Sequence, residues 1–165
     1  MKKRNNTRYL TSLALTVSFA LILSFVESRI PAFVAIPGVK VGLANIAVIF
    51  VLYKMGPKEA AIVSGLRILL ISILFGNVES LFFSLMGAAF SFAVMLLLKY
   101  LTPLSEVVVS VSGGVMHNVG QIIAAMMLLQ TDAVMYYLPF LILSGTIAGV
   151  VVGVVSALLI KRVRL

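Results

Sequence analysis

Apolar positions run along this chain in long, nearly unbroken blocks separated by short polar punctuation. At about 1.5 Å of rise per residue, a helix needs roughly 20 apolar residues to cross about 30 Å of hydrocarbon. Five stretches meet or approach that length: Tyr9–Ser28, Pro57–Phe75, Glu79–Leu98, Glu106–Gln130 and Met135–Ile160. A sixth, Val41–Tyr53, is too short to span comfortably. It follows Ile30–Lys40 (IPAFVAIPGVK), an apolar segment whose two prolines and one glycine cannot continue a helix. Irregular backbone survives at membrane depth only where protein packs around it or where it lines a cavity. The segment is therefore expected to form a capping loop between the first helix and a short second one. The connections Gly76–Val78, Tyr100–Ser105 and Thr131–Val134 leave no room for a soluble domain. The pattern predicts an all-α integral membrane protein, one domain over 1–165, with helices at about 9–28, 41–53, 57–75, 79–98, 106–130 and 135–160.

Composition agrees. Hydrophobic residues make up 62% of the 165 and charged residues 11%, against about a quarter in an ordinary soluble domain. The mean hydropathy is +1.19. Too little polar surface remains to cover a water-soluble fold, which excludes a soluble enzyme, a disordered chain and a nucleic-acid module despite the basic balance. The chain has no cysteine and one histidine, so no disulfide framework or metal cluster is expected. The basic start and the apolar run Leu10–Val26 resemble a signal peptide, but no A-x-A-like site closes the run. It is expected to stay as the first span.

Thirteen basic and five acidic side chains give a net charge of +8, and their placement is asymmetric. Six spans would put both termini on one side, together with Lys2, Lys3, Arg4, Arg8, Lys54, Lys58, Lys99, Lys161, Arg162 and Arg164. Only Arg29 and Lys40 fall opposite, and Arg67 falls inside a span. The positive-inside bias then predicts a multi-pass protein of the cytoplasmic membrane with both termini in the cytoplasm.

Polar groups at membrane depth are costly and turn toward the bundle interior or a wet cavity. Arg67 sits mid-span, as do His117, Asn118 and Gln121, whose spacings put 117/121 and 118/121 on shared faces. Asn45 is expected one turn into the short helix, and Glu27, Arg29, Lys40, Asn77, Glu79 and Asp132 around the outer mouth. Together they suggest an outward-facing ligand pocket. Blander roles compete: Arg67 could pair with Glu79 or cap carbonyls, and His117 and Asn118 could join helices. Gly145, Gly149 and Gly153 form a small-residue ladder suited to close helix packing. Ser12, Thr16, Ala20 and Ser24, with Ala14 and Ser18 beside them, form another on the first span, suited to internal packing or to a partner's helix.

Several kinds of chemistry are missing. No phosphate-binding G-x-x-x-x-G-K-[ST] loop occurs, and Asp132 is the only aspartate, so no paired carboxylates could hold Mg²⁺ beside a diphosphate. The chain is expected not to be an enzyme and to need no cofactor.

The decapeptide Pro37-Gly38-Val39-Lys40-Val41-Gly42-Leu43-Ala44-Asn45-Ile46 resembles the P-G-x-K-x-G-L-A-N-I signature of the Gx transporter family, also described as heptaprenyl diphosphate synthase component I. The layout of the whole chain is similar to the substrate-binding S components of energy-coupling-factor (ECF) vitamin importers. The resemblance implies a six-helix subunit that captures a small molecule from outside. It would work with an ECF transmembrane subunit and two cytoplasmic ATPases. S components dock through an A-x-x-x-A motif on the first helix, for which Ala14–Ser18 and Thr16–Ala20 are the nearest equivalents here. The cationic groups Arg67, Arg29 and Lys40 with His117, without matching acids at the pocket base, favour an anionic or oxygen-rich amphipathic ligand. A quinone precursor, a flavin or an isoprenoid phosphate would each fit. Two alternatives are an accessory membrane subunit of a polyprenyl diphosphate synthase and a scaffold of a membrane redox complex.

Overall fold

The computed structural model describes residues 6–29 and 42–163. The expected capping loop, Lys40, and Pro37–Val41 of the decapeptide lie outside them. Six α-helices follow in order: α1 (Asn6–Arg29), α2 (Asn45–Lys54), α3 (Pro57–Phe75), α4 (Val78–Leu101), α5 (Glu106–Leu129) and α6 (Leu138–Arg162). No strand occurs among the described residues.

Among the described residues, four stretches are long and apolar enough to cross a membrane: Thr7–Arg29, Val78–Leu101, Glu106–Leu129 and Asp132–Arg162. The other two helices fall short for different reasons. The 19 residues of α3 reach about 28 Å, but Lys58, Glu59 and Arg67 interrupt the apolar run. With 10 residues, α2 covers about 15 Å, half the hydrocarbon thickness.

The short helix stands at the centre of the bundle. Every residue from Ile46 to Leu52 is buried, against Leu13 and Val17 of α1, Ala60 and Val63 of α3, Met95 of α4 and Val152 of α6. A helix that is apolar all round can be covered only by neighbours on all sides, which is why ten residues suffice here. At its far end Lys99 donates to the Leu52 carbonyl (2.5 Å), with its ammonium 4.8 Å above the Tyr53 ring.

The near end departs from expectation. Helix α2 begins at Asn45, four residues after the expected Val41, so Asn45 is its first residue and not one turn in. Gly42 adopts φ +87°, a left-handed conformation that only glycine takes without strain, and the chain turns there before the helix starts. The Asn45 amide closes the turn on the Gly42 carbonyl at 2.9 Å.

Helices α1 and α3 run parallel. Tyr9 donates to Glu59 (2.9 Å) near their starts, and Arg67 reaches Ser24 further along. By contrast α4, α5 and α6 form an antiparallel sheaf drawn together by glycine. A Cβ built on Gly114 would stand 2.6 Å from the Gly145 carbonyl oxygen, and one on Gly149 2.6 Å from the Val111 Cα. A Cβ on Gly153 would stand 2.8 Å from the Val107 Cα, so Gly145, Gly149 and Gly153 all face α5. Ser110 adds a hydrogen bond to the Gly149 carbonyl at 2.8 Å.

Between α5 and α6, the expected loop Thr131–Val134 is replaced by a 3₁₀ helix, Asp132–Tyr137. Gln130 ends α5 in the left-handed region (φ 50°), the Thr131 hydroxyl accepts from the Ala133 amide, and Pro139 sits in the first turn of α6. These local signals delay the last helix by about a turn. A second apolar cluster caps this end, with Phe83, Ile122, Ala125, Val134 and Leu141. The outward faces carry large apolar side chains, Leu15, Ile73 and Phe140 among them, as lipid contact requires.

Candidate functional site

The polar side chains occupy the stretch between the two apolar clusters, and they divide into two groups. The first lines a narrow cavity. Arg67 of α3 is only 8% exposed, and its guanidinium approaches the Ser24 hydroxyl of α1 at 3.4 Å. Its Nε is buried and has no hydrogen-bond partner among the described residues. Glu27, one turn beyond Ser24 on the same face of α1, is 4% exposed and accepts a hydrogen bond from the Gly42 amide. Asn45 and Gly42 close the cavity at the start of α2, and His117 of α5 lines its far wall. Ile68 and Ile71 supply apolar wall beside the hydroxyls of Ser72 and Ser84.

All five acidic residues lie among those described, yet none pairs with Arg67. Glu79 is exposed at the start of α4, which removes the expected alternative of an Arg67–Glu79 pair. Glu27 faces the same cavity without an ion pair to the guanidinium. Burying an arginine with one nitrogen unpartnered carries a desolvation cost that a packed protein ordinarily offsets. That cost marks the cavity as the strongest candidate site.

The second group joins helices. Asn118 donates to the Leu141 carbonyl at 2.6 Å and approaches the Ser144 hydroxyl at 3.4 Å, bridging α5 to α6. Its amide fills the space that Gly145 leaves open. Gln121 is buried on the same helix and does not line the Arg67 cavity. Helical spacing put 117, 118 and 121 at one depth, but each neighbour is chosen by the phase of α5 against α4 or α6.

Two further expectations are corrected. Arg29 does not join the cavity; it is exposed, with its guanidinium 4.9 Å above the Phe25 ring on the outer face of α1. Glu27 does not ring a mouth, because it shares the buried face of α1 with Ser24. The cavity base thus contains an acid, contrary to the expectation of none.

The candidate docking residues separate by face. Thr16 and Ala20 are buried, with the Thr16 hydroxyl bonded to the Ser12 carbonyl at 2.8 Å, so neither is accessible to a partner. Ala14 and Ser18 are exposed, and the Ser18 hydroxyl bonds back to the Ala14 carbonyl at 3.0 Å.

Sequence reasoning missed Ser72, Ser84 and Gly87. A Cβ on Gly87 would stand 2.8 Å from the His117 ring, so the imidazole packs on bare backbone. Small residues in an apolar span carry no distinguishing signal until the facing helix is known. A second hollow lies between α2, α4, α5 and α6, sharing Gly42 and Asn45 with this cavity and bordered by the Ser91 hydroxyl, which has no partner among the described residues.

As it stands the cavity has room for little more than a water molecule. Among the described residues no group of three histidine or acidic side chains is placed to hold a metal ion. A protein-family model described as heptaprenyl diphosphate synthase component I matches residues 16–159. No curated protein and no solved structure matches the chain.

Proposed function

Because the chain belongs to the heptaprenyl diphosphate synthase component I family, we propose that it is a non-catalytic membrane subunit that binds a small amphipathic molecule for partner proteins. The observation that carries this reading is Arg67, buried on α3 against α1, with its Nε unpartnered among the described residues and no carboxylate paired to it. A guanidinium so placed is offset when a ligand supplies the missing acceptor.

The subunit acts as the S component of an ECF-type importer. It takes its ligand from outside, with six helices in the cytoplasmic membrane and both termini in the cytoplasm, as the charge asymmetry favours. An ECF transmembrane subunit and two ATPases supply the energy that the chain has no motif to supply. The narrowness of the cavity calls for α1 and α3 to part from α4 and α5 when the ligand enters. The family description supports a second reading, in which the chain assists prenyl-diphosphate elongation as an accessory subunit.

The test is equilibrium binding to the full chain in lipid nanodiscs, without nucleotide, over flavins, naphthoate compounds and prenyl phosphates. A hydrogen bond to a charged group contributes about 1.5–3 kcal/mol, so Arg67→Gln should weaken binding roughly 10- to 150-fold. A panel that produces neither binding nor a thermal shift removes the reading. Co-purification with a transmembrane subunit and paired ATPases favours the importer. A longer product from a catalytic chain when this protein is added favours the accessory subunit.

A further inference from the structure

We infer that the Arg67 cavity takes a head group presenting a hydrogen-bond acceptor beside a donor, neutral or at most singly charged, as in a cyclic imide or lactam, and that it rejects a diphosphate. This rests on the reading above that the cavity holds a ligand, and it names the class of that ligand.

The argument starts from the two charges. Arg67 and Glu27 face one cavity and are both more than nine-tenths buried, yet they form no ion pair. Each is held from the side: Arg67 by the Ser24 hydroxyl, Glu27 by the Gly42 amide. Opposite charges held apart in this way can each bond to a group that enters between them when the helices part. Such a group completes the site when an acceptor faces the Nε of Arg67 and a donor faces the carboxylate. A cyclic imide carries its carbonyl and N–H side by side.

A diphosphate fails on the same geometry. Among the described lining residues Arg67 is the one permanent cation, and Glu27 cancels its charge. A head group with two or more negative charges would lie beside a buried carboxylate, against walls formed by Ile68 and Ile71. Repulsion there is screened far less than in water. Beside His117, the remaining polar lining is the hydroxyls of Ser24, Ser72 and Ser84 and the Asn45 amide, all neutral and able both to donate and to accept, which again suits an uncharged head.

The experiment measures the affinity of the full chain in nanodiscs for lumichrome, a neutral cyclic imide, and for farnesyl diphosphate. Lumichrome is expected to bind more tightly. Glu27→Gln exchanges a charged acceptor for a weaker, neutral one, and should weaken lumichrome about tenfold while leaving farnesyl diphosphate unchanged or tighter. Should that variant fail to fold, the preference of the unaltered chain decides. Tighter binding of farnesyl diphosphate, dependent on Arg67, would overturn this assignment and keep the ligand site. Lumichrome binding that ignores Glu27→Gln also overturns it. Binding of neither probe overturns it, and silence across the wider panel overturns the binding function with it.

Discussion

His117 rests its imidazole against the backbone of Gly87: a Cβ added there would stand 2.8 Å from Cε1 and 2.9 Å from Nε2 of the ring. The absence of one methyl group on α4 thus sets where α5 presents a cavity-lining side chain. Gly87→Ala must displace the ring or spread the two helices. Ligand affinity should fall about tenfold or more, with a stability loss of about 1–3 kcal/mol, the usual cost of overpacking. Binding isotherms and thermal unfolding of the same sample check both, and unchanged affinity would separate His117 from the ligand.

Asn118 should behave in the opposite way. Its amide ties α5 to Leu141 and Ser144 of α6 and stays out of the Arg67 cavity. Interhelical hydrogen bonds within membranes contribute about 0.6 kcal/mol on average and up to about 1.7. Asn118→Ala should therefore lower unfolding stability by about that amount with ligand affinity intact. A large loss of affinity at unchanged stability would return Asn118 to the binding site.

Two glycines make a matched pair. A Cβ at Gly114 would meet the Gly145 carbonyl oxygen at 2.6 Å, whereas one at Gly65 meets nothing within 4 Å. Backbone cannot swing aside as a flexible side chain can, so Gly114→Ala should destabilise by about 1–3 kcal/mol or more. Gly65→Ala should stabilise by about 0.5–1 kcal/mol, the ordinary gain from removing a helix-interior glycine. Denaturant titration in mild detergent reads both, and equal effects would refute the close α5–α6 approach.

The first helix offers a test of docking. Ala14 and Ser18 are exposed while Thr16 and Ala20 are buried. Ala14→Leu should leave the isolated chain as stable as before and disrupt co-purification with a transmembrane partner. Ala20→Leu should instead cost about 1–3 kcal/mol of stability by overpacking against α2. If Ala14→Leu leaves the complex intact, the partner contacts another surface.

Much of the architecture could be read from residue order. Arg67 and His117 stand out because lipid makes ionisable side chains costly, which directs them inward whatever the topology. Gly42 was visible within the decapeptide, and its positive φ explains why the short helix starts at Asn45. Glu27 and Arg29 were less legible. Two positions apart at the end of one span, they differ by about 200° of helical phase. One therefore enters the cavity while the other lies over Phe25 on the outside. Ser72, Ser84 and Gly87 gave no sign at all, since a small side chain acquires meaning only from what stands opposite.

Sequence alone determined that this protein consists of apolar helices suited to lipid, with its few buried polar groups turned inward. That follows because hydrocarbon offers no partner to a charge or an amide, a constraint that acts on each residue singly. Only the tertiary structure decided which polar groups share a cavity with Arg67 and which, like Asn118, tie two helices together. That choice depends on the rotation of each helix against its neighbours, set by contacts between residues far apart in the chain. The glycine-backed approach of α5 to α4 and α6 settles it.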